Sequence, residues 1–122
     1  MKIEDVIKIL NPEILYLPEK NRTMEIYTVA ASDLMSDILA MIKVPDLLLT
    51  GLNNLQVINT CSVFGIKAVI LVRGKIIIDK KVSELAKEEG VILMSTKYSL
   101  YESCGRLYQN GLQSVYTYKE KR

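Results

Sequence analysis

The sequence predicts an α/β domain, a three-layer α/β/α sandwich on a mostly parallel sheet, from three observations. The runs Leu47 to Thr50, Ala68 to Val72 and Val91 to Met94 are almost wholly apolar and of strand length, the pattern of strands buried on both faces. The segments joining them are long enough for helices, and a strand–helix–strand connection makes neighbouring strands parallel. The 122 residues are 49% hydrophobic and 25% charged, which suits one soluble domain that buries a core without disulfides or metals.

The elements follow in order. Ile3, Val6, Ile7 and Leu10 recur at helical spacing and give a first helix that Pro12 stops. Two β-prone stretches, Ile14 to Leu17 and Ile26 to Ala31, flank a turn region over Pro18 to Thr23. Ser32 and Asp33 are cap residues for a second helix with Leu34, Ile38, Met41 and Ile42 inward, ending before Pro45. After the strand at Leu47, Asn53 or Asn54 caps a third helix through Leu55, Ile58, Cys61 or Ser62, and Phe64, with Gly65 as terminator.

After the strand at Ala68, Asp79 caps a fourth helix with Val82, Leu85 and Ala86 toward the core. Glu84, Lys87, Glu88 and Glu89 face water, and Gly90 ends it. From Ser99 a last helix runs through Leu100, Cys104, Leu107 and Tyr108 and stops near Gly111. Residues 1–112 are expected to form the domain and 113–122 a C-terminal extension. Within it Val115-Tyr116-Thr117-Tyr118 is β-prone and suited to add a strand to its own sheet or a neighbour's.

Open α/β sheets bind ligands at the carboxyl ends of their strands. The residues expected there are Thr50, Gly51, Asn53 and Asn54 after the first parallel run, Arg73, Gly74 and Lys75 after the second, and Ser95, Thr96 and Ser99 after the third. Free N–H groups at helix starts suit an anion, and Arg73 or Lys75 adds positive charge for a phosphate. The simpler reading is that Asn53, Ser95 and Ser99 only cap helices and Gly51 and Gly74 only make turns.

Several functions are disfavoured outright. With no histidine, Ser/His and Cys/His nucleophile pairs and most zinc sites lack their imidazole. The glycines form no GxGxxG motif, and Gly74-Lys75 lacks the upstream glycine of a Walker A loop, so ATP-driven transfer is unsupported and no cofactor is expected. Asp33 and Asp37, one helical turn apart, can share a magnesium ion or simply complement a helix dipole; no metal site is assigned.

Cys61 and Cys104 fit no metal spacing, lie on apolar helical stripes and suit a reducing cytoplasm. A net charge of +2 argues against a nucleic-acid or membrane-surface footprint. The amino terminus has no signal-peptide pattern, and no run approaches the roughly 20 apolar residues that span a bilayer. The expected setting is cytoplasmic.

From Ser32 to Leu112 the chain resembles the DRTGG domain, a fold shared with the amino-terminal domain of HPr kinase/phosphorylase and related to that of Mur ligases. The resemblance rests on Ser32-Asp33-Leu34-Met35-Ser36-Asp37-Ile38, Asp46-Leu47-Leu48-Leu49-Thr50 and Ala68-Val69-Ile70-Leu71-Val72. It continues through Leu85-Ala86-Lys87-Glu88-Glu89-Gly90-Val91, Ser95-Thr96 and Gly105-Arg106-Leu107-Tyr108. The family's Asp-Arg pair falls on Asn53-Asn54 and its Thr-Gly-Gly on Val72-Arg73-Gly74, so only the last glycine remains.

What the resemblance implies is a regulatory, non-catalytic domain of the kind found beside CBS domains in a pyrophosphatase and within phosphotransacetylases. Two functional expectations result. One is a sensor of a nucleotide or phosphorylated metabolite at the carboxyl edge of the sheet, signalling to an enzyme partner. The other is a protein-interaction or assembly module with no small-molecule ligand. A homodimer is expected as well, because Ile76, Ile77 and Ile78 place three isoleucines where a strand-to-helix loop is normally polar. The other account of these residues is a short extra strand packed beneath Val82.

Overall fold

The computed structural model describes residues 1–74 and 78–116. Helix α1 spans Ile3–Leu10, with the Lys2 N–H donating to Asp5 Oδ2 at 2.8 Å ahead of the first turn. Strand β1, Glu13–Tyr16, leads through a 3₁₀ turn at Glu19–Asn21 to β2, Thr28–Ala31. The chain continues as α2 (Met35–Leu39), β3 (Leu47–Thr50), α3 (Leu55–Phe64), β4 (Ala68–Leu71), α4 (Lys80–Glu89), β5 (Ile92–Ser95), α5 (Leu100–Gln109) and β6 (Gln113–Ser114).

Among the described residues the strands form one six-stranded sheet in the order β1-β5-β4-β3-β2-β6. It is parallel throughout except for β1, which runs antiparallel to β5 with Glu13 opposite Ser95. Right-handed crossovers explain the layers. The steps from β2 to β5 all move one way across the sheet, so α2, α3 and α4 share one face. The return to β6 moves the other way, and α5 lies with α1 on the opposite face.

Strand alternation divides the core accordingly. Leu47, Leu49, Ile70 and Met94 pack with Ile3, Val6 and Leu10 of α1 and Leu107 of α5. Leu48, Val69, Leu71 and Leu93 pack with Ile38, Val57, Ile58, Cys61, Val82 and Ala86. The α/β sandwich with its mostly parallel sheet is therefore as expected, and no helix among the described residues is long and apolar enough to cross a membrane.

The caps of the longer helices form as the sequence implies. Asn54, Asp79 and Ser99 accept N–H groups of Val57, Lys81 and Glu102, and Gly65 and Gly90 close α3 and α4 at φ 80° and 70°, where a Cβ is disfavoured. The second helix is different. It covers only Met35–Leu39, with Leu34 in the extended cap position, so Ser32 and Asp33 do not cap it. Ile38 is buried and Met41 half-buried, but Leu34 is 59% exposed and Ile42 91% exposed; neither points inward, because one precedes the helix and the other lies past its end.

The ends of β2 and β5 also shift. Ile26 is buried but lies ahead of β2, its N–H donating to the Met1 carbonyl at 2.6 Å, and β5 begins at Ile92 and not at Val91. Beyond residue 112 a two-residue strand forms ahead of the run expected to be β: β6 pairs Thr28 with Gln113 and Val29 with Ser114, whereas Val115 and Tyr116 lie past its end, the Val115 N–H donating to the Val29 carbonyl at 2.9 Å. Of the isoleucine run, Ile78 is half-buried and packs against the α3/α4 core. Ile76 and Ile77 lie outside the described residues, as do Thr117 and Tyr118.

Candidate functional site

Because β4 leads to α4 on one face and β5 to α5 on the other, the sheet has a topological switch point between these two neighbours, the place where open α/β sheets take ligands. The loops that leave β4 and β5 meet there. The Arg73 N–H donates to the Tyr98 carbonyl at 2.8 Å, and the Gly74 N–H donates to the Thr96 carbonyl at 3.0 Å. A Cβ on Gly74 would lie 3.1 Å from the Thr96 carbonyl oxygen and from the Lys97 Cα, so a glycine lets the two loops close on each other.

Beside this seam, β2, β3 and β4 end together. Asp33, just past β2, accepts the Gly51 N–H at 2.6 Å through Oδ1 and Arg73 Nη1 at 2.8 Å through Oδ2. The Arg73 guanidinium lies over Gly51, and a Cβ there would collide with it. Arg73 itself adopts φ 65°, in the left-handed region that non-glycine residues rarely enter. Partial burial alone would raise the Asp33 pKa, but the Arg73 hydrogen bond, the Gly51 N–H and the Arg73 charge together hold it below its ordinary value. The ends of three strands thus aim two donors at one carboxylate.

The other expected site residues divide by role. Thr50 is fully buried; its carbonyl accepts the Val72 N–H at 3.0 Å and its Oγ1 the Leu52 N–H at 3.1 Å. Thr96, 1% exposed, donates its hydroxyl to the Leu10 carbonyl at 2.8 Å, tying α1 to the edge. Asn54 and Ser99 are helix caps. Asn53 Oδ1 is buried with no hydrogen-bond partner among the described residues, and Ser95, half-buried, ends β5. Lys75 lies outside the described residues. For Asn54 and Ser99 the cap reading accounts for the side-chain bonds they make, whereas the Thr96 hydroxyl makes a tertiary contact.

Asp33 is the residue that reasoning from sequence placed wrongly. It was expected to cap α2, but Leu34 stands at the cap position and Asp33 turns to Arg73, while Asp37 accepts the Ser32 hydroxyl at 3.2 Å. A signal existed in its position directly after a β-prone run, at the same sheet edge as Gly51 and Arg73. Elsewhere, a groove of about 830 Å³ opens between β2 and α5, lined in part by Val29, Ala31, Tyr101, Cys104 and Tyr108; it shares no residue with the edge. Burial pushes the Cys61 thiol up to about 12 and raises that of Cys104, which suits small core side chains.

Comparison with known proteins then bears on this arrangement. The sequence matches the DRTGG domain over residues 5–109. Among solved structures, the chain is similar to the CBS and DRTGG domains of the regulatory region of Clostridium perfringens pyrophosphatase, a structure complexed with the activator diadenosine tetraphosphate. The TM-score is 0.71 at 14% sequence identity, covering 88% of this chain and 46% of that one, so the likeness is one of fold and spans less than half of the other chain. No curated protein matches the sequence.

Proposed function

This chain belongs to the DRTGG domain family, and we propose that it is a non-catalytic regulatory domain that senses an anionic small molecule, a nucleotide or phosphorylated metabolite, at the carboxyl edge of its sheet. The observation that carries this reading is the Asp33 carboxylate held by the Gly51 N–H and the Arg73 guanidinium. Two donors converging on one anion are what a phosphate group needs, and here the chain's own carboxylate occupies the position. A ligand phosphate would displace Asp33 and take its hydrogen bonds, and the released segment between β2 and α2 would carry the change to an enzyme partner. The regulatory region of the pyrophosphatase, with its dinucleotide activator, supports the reading by analogy. The two free thiols suit a cytoplasmic setting.

The test is calorimetric titration and thermal denaturation of the purified chain with ATP, AMP, diadenosine tetraphosphate and inorganic phosphate. Binding by at least one of them, with a raised Tm and weakening in an Arg73→Ala variant, is expected. No binding at millimolar concentration, or binding that Arg73→Ala leaves unchanged, overturns the site. In the first case the assembly-module reading takes its place.

A further inference from the structure

The two loops that close on each other at the switch point carry a second cation, Lys97. It lies between Thr96 and Tyr98, whose carbonyls accept the Gly74 N–H at 3.0 Å and the Arg73 N–H at 2.8 Å, so the backbone sets it against the Arg73-Gly74 turn. A Cβ on Gly74 would stand 3.3 Å from Lys97 Cγ, so the lysine stem rests on the glycine at the point where Arg73 leaves the chain. Lys97 is exposed and makes no ion pair among the described residues; Glu13, which the β1–β5 register sets opposite Ser95, is not paired with it.

Among the described residues the seam thus presents two cations, Arg73 and Lys97, and one anion bound to it, Asp33. Asp33 is engaged by Arg73 and the Gly51 N–H, and Lys97 is left unmatched. This asymmetry decides what can displace the carboxylate. Being part of the chain, Asp33 competes for Arg73 at an effective concentration on the order of millimolar, so a ligand with one anionic group gains little by replacing it. A ligand with a second anionic group also reaches Lys97, and that contact forms without breaking an internal one.

We infer that the ligand is a polyphosphate, an inference that rests on Arg73 being the anion-binding residue: Arg73 and the Gly51 N–H take one phosphate, and Lys97 takes the next. Because β4 and β5 are neighbouring strands, about 4.8 Å apart, a guanidinium and an ammonium that leave their ends flank a chain of linked phosphates. Nucleoside diphosphates and triphosphates carry such a chain; nucleoside and sugar monophosphates do not. A lysine suits the second place, because its ammonium is a compact charge on a flexible stem and takes a phosphate oxygen without a fixed geometry.

The experiment is calorimetric titration of the full chain with inorganic phosphate, pyrophosphate and tripolyphosphate, at constant ionic strength and with a chelator present. Pyrophosphate is expected to bind at least about tenfold more tightly than phosphate. Lys97→Gln should remove that advantage while leaving phosphate affinity and the Tm of the free protein unchanged, and Lys97→Arg should keep it. Lys67→Gln removes another exposed charge, just ahead of β4 at the opposite edge of the sheet, and should change neither affinity. Equal affinity for phosphate and pyrophosphate, a preference that survives Lys97→Gln, or a loss with Lys67→Gln as large as with Lys97→Gln overturns the inference and leaves the Arg73 site in place. If none of the three anions binds, or Arg73→Ala leaves their binding unchanged, the Arg73 site fails and the inference with it.

Discussion

Asp33 and Arg73 stand 40 residues apart in sequence, yet their side chains meet at 2.8 Å where three parallel strands end. The pair is half open to water, so it contributes less than about 1 kcal/mol to stability. Its meaning is chemical: an arginine in a left-handed backbone conformation is kept folded over Gly51 by an internal anion.

Replacing that anion should expose the arginine. Asp33→Asn still offers an oxygen to the Gly51 N–H but no charge to Arg73, so affinity for inorganic phosphate or a nucleotide should rise about tenfold, or about 1.4 kcal/mol. Calorimetry measures it. The same variant should lose an acid dependence: because the folded Asp33 pKa lies below the unfolded one, the pair stabilises the native state above the unfolded value. That contribution disappears as pH falls through the folded pKa. Urea unfolding in acid should show a steeper decline for wild type than for Asp33→Asn.

Arg73 combines a backbone strain with a charge, and two substitutions separate them. Arg73→Ala and Arg73→Gly should weaken anion binding alike, by about 1.5 to 3 kcal/mol, the range for hydrogen bonds to charged groups. Arg73→Gly should be more stable than Arg73→Ala by about 1 kcal/mol, since only glycine adopts φ 65° without strain. Parallel chemical denaturation curves check the second statement independently of any ligand.

Tyr116 ties the end of the described chain to the loop after α2. Its phenolic oxygen accepts the Ile42 N–H at 2.8 Å and the Lys43 N–H at 3.3 Å. Tyr116→Phe should cost about 0.5 to 1.5 kcal/mol and accelerate hydrogen exchange at those two amides, leaving the β4 amides unchanged.

The thiols should differ in reactivity. Cys61 is buried, which pushes its thiol pKa up to about 12, whereas Cys104 is only half-buried, and burial raises its pKa too. At pH 8 both are mostly protonated, so an aromatic disulfide reagent should label Cys104 slowly and Cys61 only on unfolding. Equal rates in the native protein would contradict the packing of α3 on the sheet.

Sequence by itself located the strands at Leu47, Ala68 and, one residue early, Val91, together with the long helices between them and their caps. The reason is that buried parallel strands, amphipathic helices and cap side chains announce themselves within a few residues. It also placed Gly51, Arg73 and Gly74 at one sheet edge. Only the tertiary structure decided what they do there. The parallel registers of Ala31 with Leu49 and Thr50 with Leu71 bring Asp33, Gly51 and Arg73 together, and the opposite exits of β4 and β5 set the seam between their loops. The short α2, with Leu34 and Ile42 left in water, was equally invisible, because apolar spacing cannot tell where a helix ends when no strong terminator marks it. Local signals act within one element, whereas contacts between distant residues depend on register and on the hand of the crossovers, which exist only once the sheet has formed.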